Sequence, residues 1–138
     1  MAKVGILLWT PTNLKMTTTD LETSLSKMQT YLETPAGLEP QDLLDRIEYL
    51  NILIAKSGQL LAQAKFIQDD IVNKGLLQAM EQDLDRKLSP SLVNKFVGSG
   101  AKNINYLVNW ADRINASATH QLDGIRTIIS YKKAELNL

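Results

Sequence analysis

The sequence predicts an all-α fold, an elongated antiparallel helical bundle dominated by a long two-helix hairpin plus a shorter N-terminal helix. Three observations lead there. Apolar residues recur at alternating spacings of three and four over most of the chain, the mark of a single helical face. Four prolines and seven glycines in 138 residues are too few for a low-complexity or disordered chain. The two longest apolar runs are of similar length and joined by a compact connector, which favours an antiparallel hairpin.

Residues 1 to 16 stand apart as an N-terminal arm, with the helical bundle domain covering 17 to 138. The run Val4, Ile6, Leu7, Leu8, Trp9 suits a short strand or docking segment, because Pro11 and Asn13 stop a helix. It is shorter than the apolar region of a signal peptide and lacks a small-residue cleavage site. The first helix is expected to start with Thr19 as N-cap and Glu22 at N3, a capping box. Its stripe is Leu21, Leu25, Met28 and Leu32, and Thr34-Pro35-Ala36-Gly37 ends it.

Pro40 opens the second helix, with Asp42 and Asp45 near the positive end of its dipole. Its expected core stripe is Leu43, Ile47, Leu50, Ile54, Ser57, Leu61, Ala64, Gln68 and Ile71, widened by Leu53, Leu60 and Ile67. Asn73-Lys74-Gly75 reads as its C-cap, with a break or bend at Gly75. Two short helices are then expected between Leu76 and Val97, meeting at Ser89-Pro90, before Gly98-Ser99-Gly100 interrupts the pattern. The last helix should run from about Ala101 to Glu135 on Ile104, Leu107, Ala111, Ile114, Ala118, Gln121, Ile125, Ile128 and Lys132, broadened by Trp110, Leu122 and Ile129. Ala111, Ala118 and Gly124 would let a partner helix approach closely. Each long helix would then be about 50 Å at the standard rise, and the first helix could cover only about half of the pair.

Net charge is zero, so no whole-molecule field draws the chain to nucleic acid or an anionic membrane. The absence of cysteine excludes disulfides, thiolate nucleophiles and Cys-based zinc sites. No run approaches the roughly 20 apolar residues that span a bilayer, and a cytoplasmic location is expected. His120 is the one histidine, with Asp123 at helical spacing; a surface polar pair is the simpler account than a catalytic base or metal ligand. Asp69, Asp70, Glu81, Asp83 and Asp85 lack the ligand spacing and glycine of a calcium loop, and no Glu-x-x-His marks a di-iron bundle. Gly98 to Lys102 falls short of a phosphate loop in spacing and has no preceding strand. Asn115-Ala116-Ser117 matches a glycosylation sequon inside a helical pattern and is discounted.

Interaction is the function these features favour. Candidate contact residues are Trp9, Asn105, Tyr106, Asn109, Trp110, Arg126, Tyr131, Lys132 and Lys133. Asn105 and Asn109 share a helix side, and aromatic residues anchor interfaces. Residues 1 to 89 hold nine Lys/Arg against twelve Asp/Glu, net −3, whereas 90 to 138 hold six against three, net +3. The expected function is a non-catalytic protein–protein interaction or assembly protein of structural or adaptor type, homo-oligomeric, with no cofactor and no metal. The alternative is a nucleic-acid-binding helical protein using the basic end of its last helix.

Overall fold

The computed structural model describes residues 16–82 and 89–136, and within them it contains three helices and no strand. These are α1 (Thr18–Glu33), α2 (Pro40–Gln82) and α3 (Pro90–Leu136). The arm before Met16, Trp9 included, and the acidic residues Asp83 and Asp85 lie outside the described residues.

α1 is capped by Thr17, not Thr19. The Thr17 hydroxyl accepts from the Asp20 amide at 3.1 Å while the Asp20 carboxylate accepts from the Thr17 amide at 3.0 Å, a complete capping box. The threonine run offered several caps, and starting at Thr17 adds half a turn that bonds the Leu21 amide to the Thr17 carbonyl at 3.1 Å. The apolar stripe is as expected: Leu21, Leu25, Met28 and Leu32 are all buried. Met16, just before the cap, packs against the core.

α2 and α3 run 43 and 47 residues, about 65 and 70 Å, instead of about 50 Å each. The predicted break at Gly75 does not occur. α2 continues through Gly75 to Gln82, so Leu76 belongs to it and the short helix expected after Gly75 is its last two turns. Pro90 begins α3 as read from the sequence, but α3 passes uninterrupted through Gly98-Ser99-Gly100. A mid-helix glycine costs only about 1 kcal/mol relative to alanine, less than continuous packing returns. Gly75 is buried, with Ala79 a turn further on. At Gly100 an added Cβ would sit 3.4 Å from Ile71 Cγ2, so that glycine serves close helix approach. Gly98 and Gly124 face open space, and no helix among the described residues approaches Gly124.

The helices pack antiparallel, and side-chain hydrogen bonds mark the register. Lys132 meets Leu38, Gln121 meets Arg46, Asn115 meets Ser57, and Asn105 meets Gln68, in descending order along α3. The seam on α2 is rotated from the predicted one. Leu43, Leu50, Leu53, Ser57, Leu60 and Ala64 are buried, whereas Ile47, Ile54 and Leu61 are only half-buried flanks. The phase moved because Arg46, not Ile47, occupies the inward position one turn after Leu43. On α3, Ala101, Ile104, Leu107, Ala111, Ile114 and Ala118 are buried, followed by Leu122 and Ile125. Ile128 is exposed, and the seam ends instead on half-buried Ile129.

Two polar clusters interrupt this core. Asn115 Nδ2 donates to the Ile54 carbonyl at 2.9 Å and to Ser57 Oγ at 3.0 Å, which pins α2 to α3 at mid-length. Arg46 lies buried against the C-terminus of α1. Its Nη2 donates to the Tyr31 carbonyl at 3.2 Å and to Gln121 Oε1 at 2.8 Å, while Gln121 Nε2 donates to the Leu32 carbonyl at 2.7 Å. The guanidinium sits 4.1 Å from the Tyr31 ring centre, and Tyr49 packs on that ring at 4.0 Å. The last carbonyls of α1, its negative pole, thus take the place of a carboxylate for this buried cation. Burial raises the Tyr31 phenol above its ordinary pKa, against the lowering influence of Arg46.

Candidate functional site

The outer faces of the two long helices are unequal, and the difference begins in the sequence. Nine residues advance an α-helix by two and a half turns, which puts a side chain on the opposite face. Ile52, Phe66 and Met80 each follow a seam residue of α2 (Leu43, Ser57, Ile71) by nine positions. They accordingly point away from α3, with 59%, 73% and 55% of their surface exposed. Leu44, Leu76 and Leu77 are exposed on the same helix, and the exposed small residues Ala55 and Ala62 lie between Ile52 and Phe66. Isolated exposed leucines need no explanation, whereas large apolar residues repeated on one helix face form the pattern by which helices dock.

α1 does not cover this face. Its C-terminus rests on Arg46 and Tyr49, and its length carries it only to roughly residue 62 of α2. Lys56, half-buried, has its ammonium pKa held below the ordinary value by burial first and then by the charge of Lys27. Beyond α1, the remainder of α2 has only α3 beside it among the described residues.

The residues singled out on α3 divide into three groups. Trp110 is half-buried in the core flank and its Nε1 donates to Gln29 Oε1 at 3.1 Å, tying α3 to α1. Tyr106 is exposed beside it, ring centres 5.8 Å apart. Asn105 accepts from Gln68 Nε2 at 2.6 Å, and Asn109 is exposed. Arg126, Tyr131 and Lys133 are exposed near the C-terminal end, while Lys132 Nζ reaches the Leu38 carbonyl at 2.6 Å. There, Pro40, Leu43, Leu44, Ile129, Lys132, Lys133 and Leu136 line an open groove of about 260 Å³. The antiparallel register puts this basic end near the acidic start of α2. Both ion pairs among the described residues are nonetheless within one helix, Lys74–Asp70 at 2.9 Å and Arg126–Asp123 at 3.8 Å. Asp123 therefore faces Arg126 and not His120, which is exposed.

Among the described residues no three His, Asp or Glu side chains converge as metal ligands would, and no helix is long and apolar enough to cross a membrane. Sequence reasoning missed the outer stripe of α2 because it assigned the helix's apolar residues to a single face. The signal was present: Ile52, Phe66 and Met80 are spaced by 14, two heptads, in a second phase. Comparison with known proteins returns no match to a family model, to a curated protein or to a solved structure.

Proposed function

We propose that this protein is a non-catalytic assembly protein of the cytoplasm, which self-associates through helix-on-helix docking at the outer face of α2. One observation carries the proposal: α2 is apolar on two opposite faces, and α3 occupies only one of them. A helix that offers a second apolar line at heptad spacing is suited to bury it against another helix. The sequence supports the same reading, since one histidine and no cysteine leave few groups for acid–base or nucleophilic catalysis.

Nucleic-acid binding, the alternative, draws less support. Lys132 already serves the Leu38 carbonyl, and the remaining cations of that end share it with the carboxylates that open α2. Sedimentation equilibrium across the micromolar range tests the proposal. A mass above the 15.4 kDa of one chain is expected. A clean monomer throughout that range would sink it, and a steep salt-dependent affinity for DNA or RNA would favour the alternative.

A further inference from the structure

We infer that α2 pairs with α2 of a second copy of this chain, antiparallel, about a two-fold axis passing at Phe66. The inference rests on the assembly proposal and adds the surface, symmetry and register. In an isologous contact each residue i meets j while j meets i. Antiparallel pairing centred on Phe66 therefore sets position 52 against 80, 55 against 77, and 59 against 73. Three pairs and the central residue of α2 are matched about that centre, while Ala62 meets Asp70, whose charge Lys74 of its own helix engages. Ile52 meets Met80, both large and exposed. Ala55 meets Leu77, small against large. Gln59 meets Asn73, two amides able to bond each other. Phe66, the most exposed of the three stripe residues, meets itself.

Charge and coverage agree with this register. Asp70 is engaged by Lys74 of its own helix at 2.9 Å, whereas exposed Lys65 and Asp69 hold no ion pair among the described residues. Asp69 and Lys65 lie on the same flank of Phe66, so the two-fold axis sets Asp69 of one copy beside Lys65 of the other, about 3 Å apart along the helix axis and within reach of the four-carbon stem. The two-fold axis makes that pairing twice. The pairing also sets the α1-flanked half of each α2 against the α1-free half of the other, so the two copies of α1 lie at different levels. Coverage along α2 is thereby evened out.

Cysteine cross-linking of the full chain tests the register, and the cysteine-free sequence gives a clean background. Oxidised Phe66→Cys is expected to form a covalent dimer. An equimolar mixture of Ile52→Cys and Met80→Cys should cross-link, while either alone should not. Phe66→Asp should reduce the sedimentation mass from about twice 15.4 kDa to one chain with unchanged helicity. Lys65→Glu should weaken association severalfold, and adding Asp69→Lys should restore it. Ile52→Cys linking to itself, or Phe66→Asp remaining a dimer, would overturn the α2 pairing while leaving self-association standing. A wild-type monomer defeats both proposals. A monomer that dimerises only once residues 1–15 are removed would overturn the pairing in favour of coverage by the arm.

Discussion

α2 and α3 are close in length, share one seam and contribute comparable apolar side chains to it, yet their outer faces differ. On α2 the outward line holds Ile52, Phe66 and Met80, with Ala55 and Ala62 between the first two and the amides Gln59 and Asn73 along it. On α3 the outward positions between Lys102 and Arg126 are mostly amides, hydroxyls and charges, with Tyr106 the large exception. Among the described residues, packing within the chain accounts for one face of each long helix and leaves the second apolar face of α2 without a partner. α3 packs against both α2 and α1, and between Lys102 and Arg126 its remaining surface is mostly polar. The contrast leaves an exposed apolar line on the helix whose apolar residues the sequence assigns to the core.

The inner faces provide the largest test of this contrast. Leu60 is 1% exposed while its neighbour Leu61 is half-buried. Leu60→Ala should cost about 2–5 kcal/mol in unfolding free energy, and Leu61→Ala about 1 kcal/mol. Equal losses on denaturant titration would show that the seam is not rotated as described, and the outer stripe would lose its geometric basis. Next in size is Arg46, which joins both long helices to α1. Arg46→Ala leaves Gln121 Oε1 without its donor and should cost about 1–3 kcal/mol. Arg46→Met keeps the stem packed on Tyr31 and removes the desolvated charge, so its loss should be clearly smaller. A methionine variant as unstable as the alanine would mean that the hydrogen bonds, not the packing, hold this junction.

Much of this architecture was legible because periodicity is a direct readout of a buried face. α1 shows it best, since its four apolar residues have one possible phase and all four are buried. α2 was misread because Leu43-Ile47-Leu50-Ile54 and Leu43-Arg46-Leu50-Leu53 are both valid three-four progressions. Counting only apolar residues selects the first, while the hydrogen bonds of Arg46 to the Tyr31 carbonyl and to Gln121 select the second. Gly75 and Gly98-Ser99-Gly100 were misjudged for a different reason. Local propensity spoke for a break there, and tertiary contact such as Gly100 against Ile71 outweighed it. Of the candidate site, the α3 aromatics and basic end could be found by residue type alone. The outer stripe of α2 required knowing which phase the core used.

α1 packs on α3 and on the first half of α2, so loosening α1 sharpens the comparison from another side. Thr17→Ala removes the cap and should destabilise by about 1 kcal/mol. The capping box also predicts a pH dependence. The Thr17 backbone amide, and secondarily its hydroxyl, hold the Asp20 carboxyl below its ordinary value of 3.8. A carboxyl depressed in the folded state contributes stability that is present above the unfolded value and lost as pH falls through the folded one. The stability difference between wild type and Asp20→Asn should therefore hold constant above about pH 4 and shrink below it. Thermal melts followed by circular dichroism would show this, and a difference unchanged down to about pH 2 would contradict it.

The smallest expected change in folding energy bears most directly on the two outer faces. Phe66→Ser and Tyr106→Ser each replace a large exposed aromatic on the outside of a long helix, at 73% and 60% exposure. Neither should alter the stability of the folded chain by more than about 0.5 kcal/mol at concentrations where it is monomeric, the usual range for surface positions. Their effects on association should separate. Phe66→Ser removes the side chain placed on the two-fold axis and should lower the sedimentation mass at micromolar concentration. Tyr106→Ser removes one that contacts Trp110 of its own helix, 5.8 Å between ring centres, and should leave the mass unchanged. If Tyr106→Ser dissociates the assembly and Phe66→Ser does not, the functional face belongs to α3. The apolar line on α2 would then be ordinary surface, since scattered exposed apolar residues are common on soluble proteins.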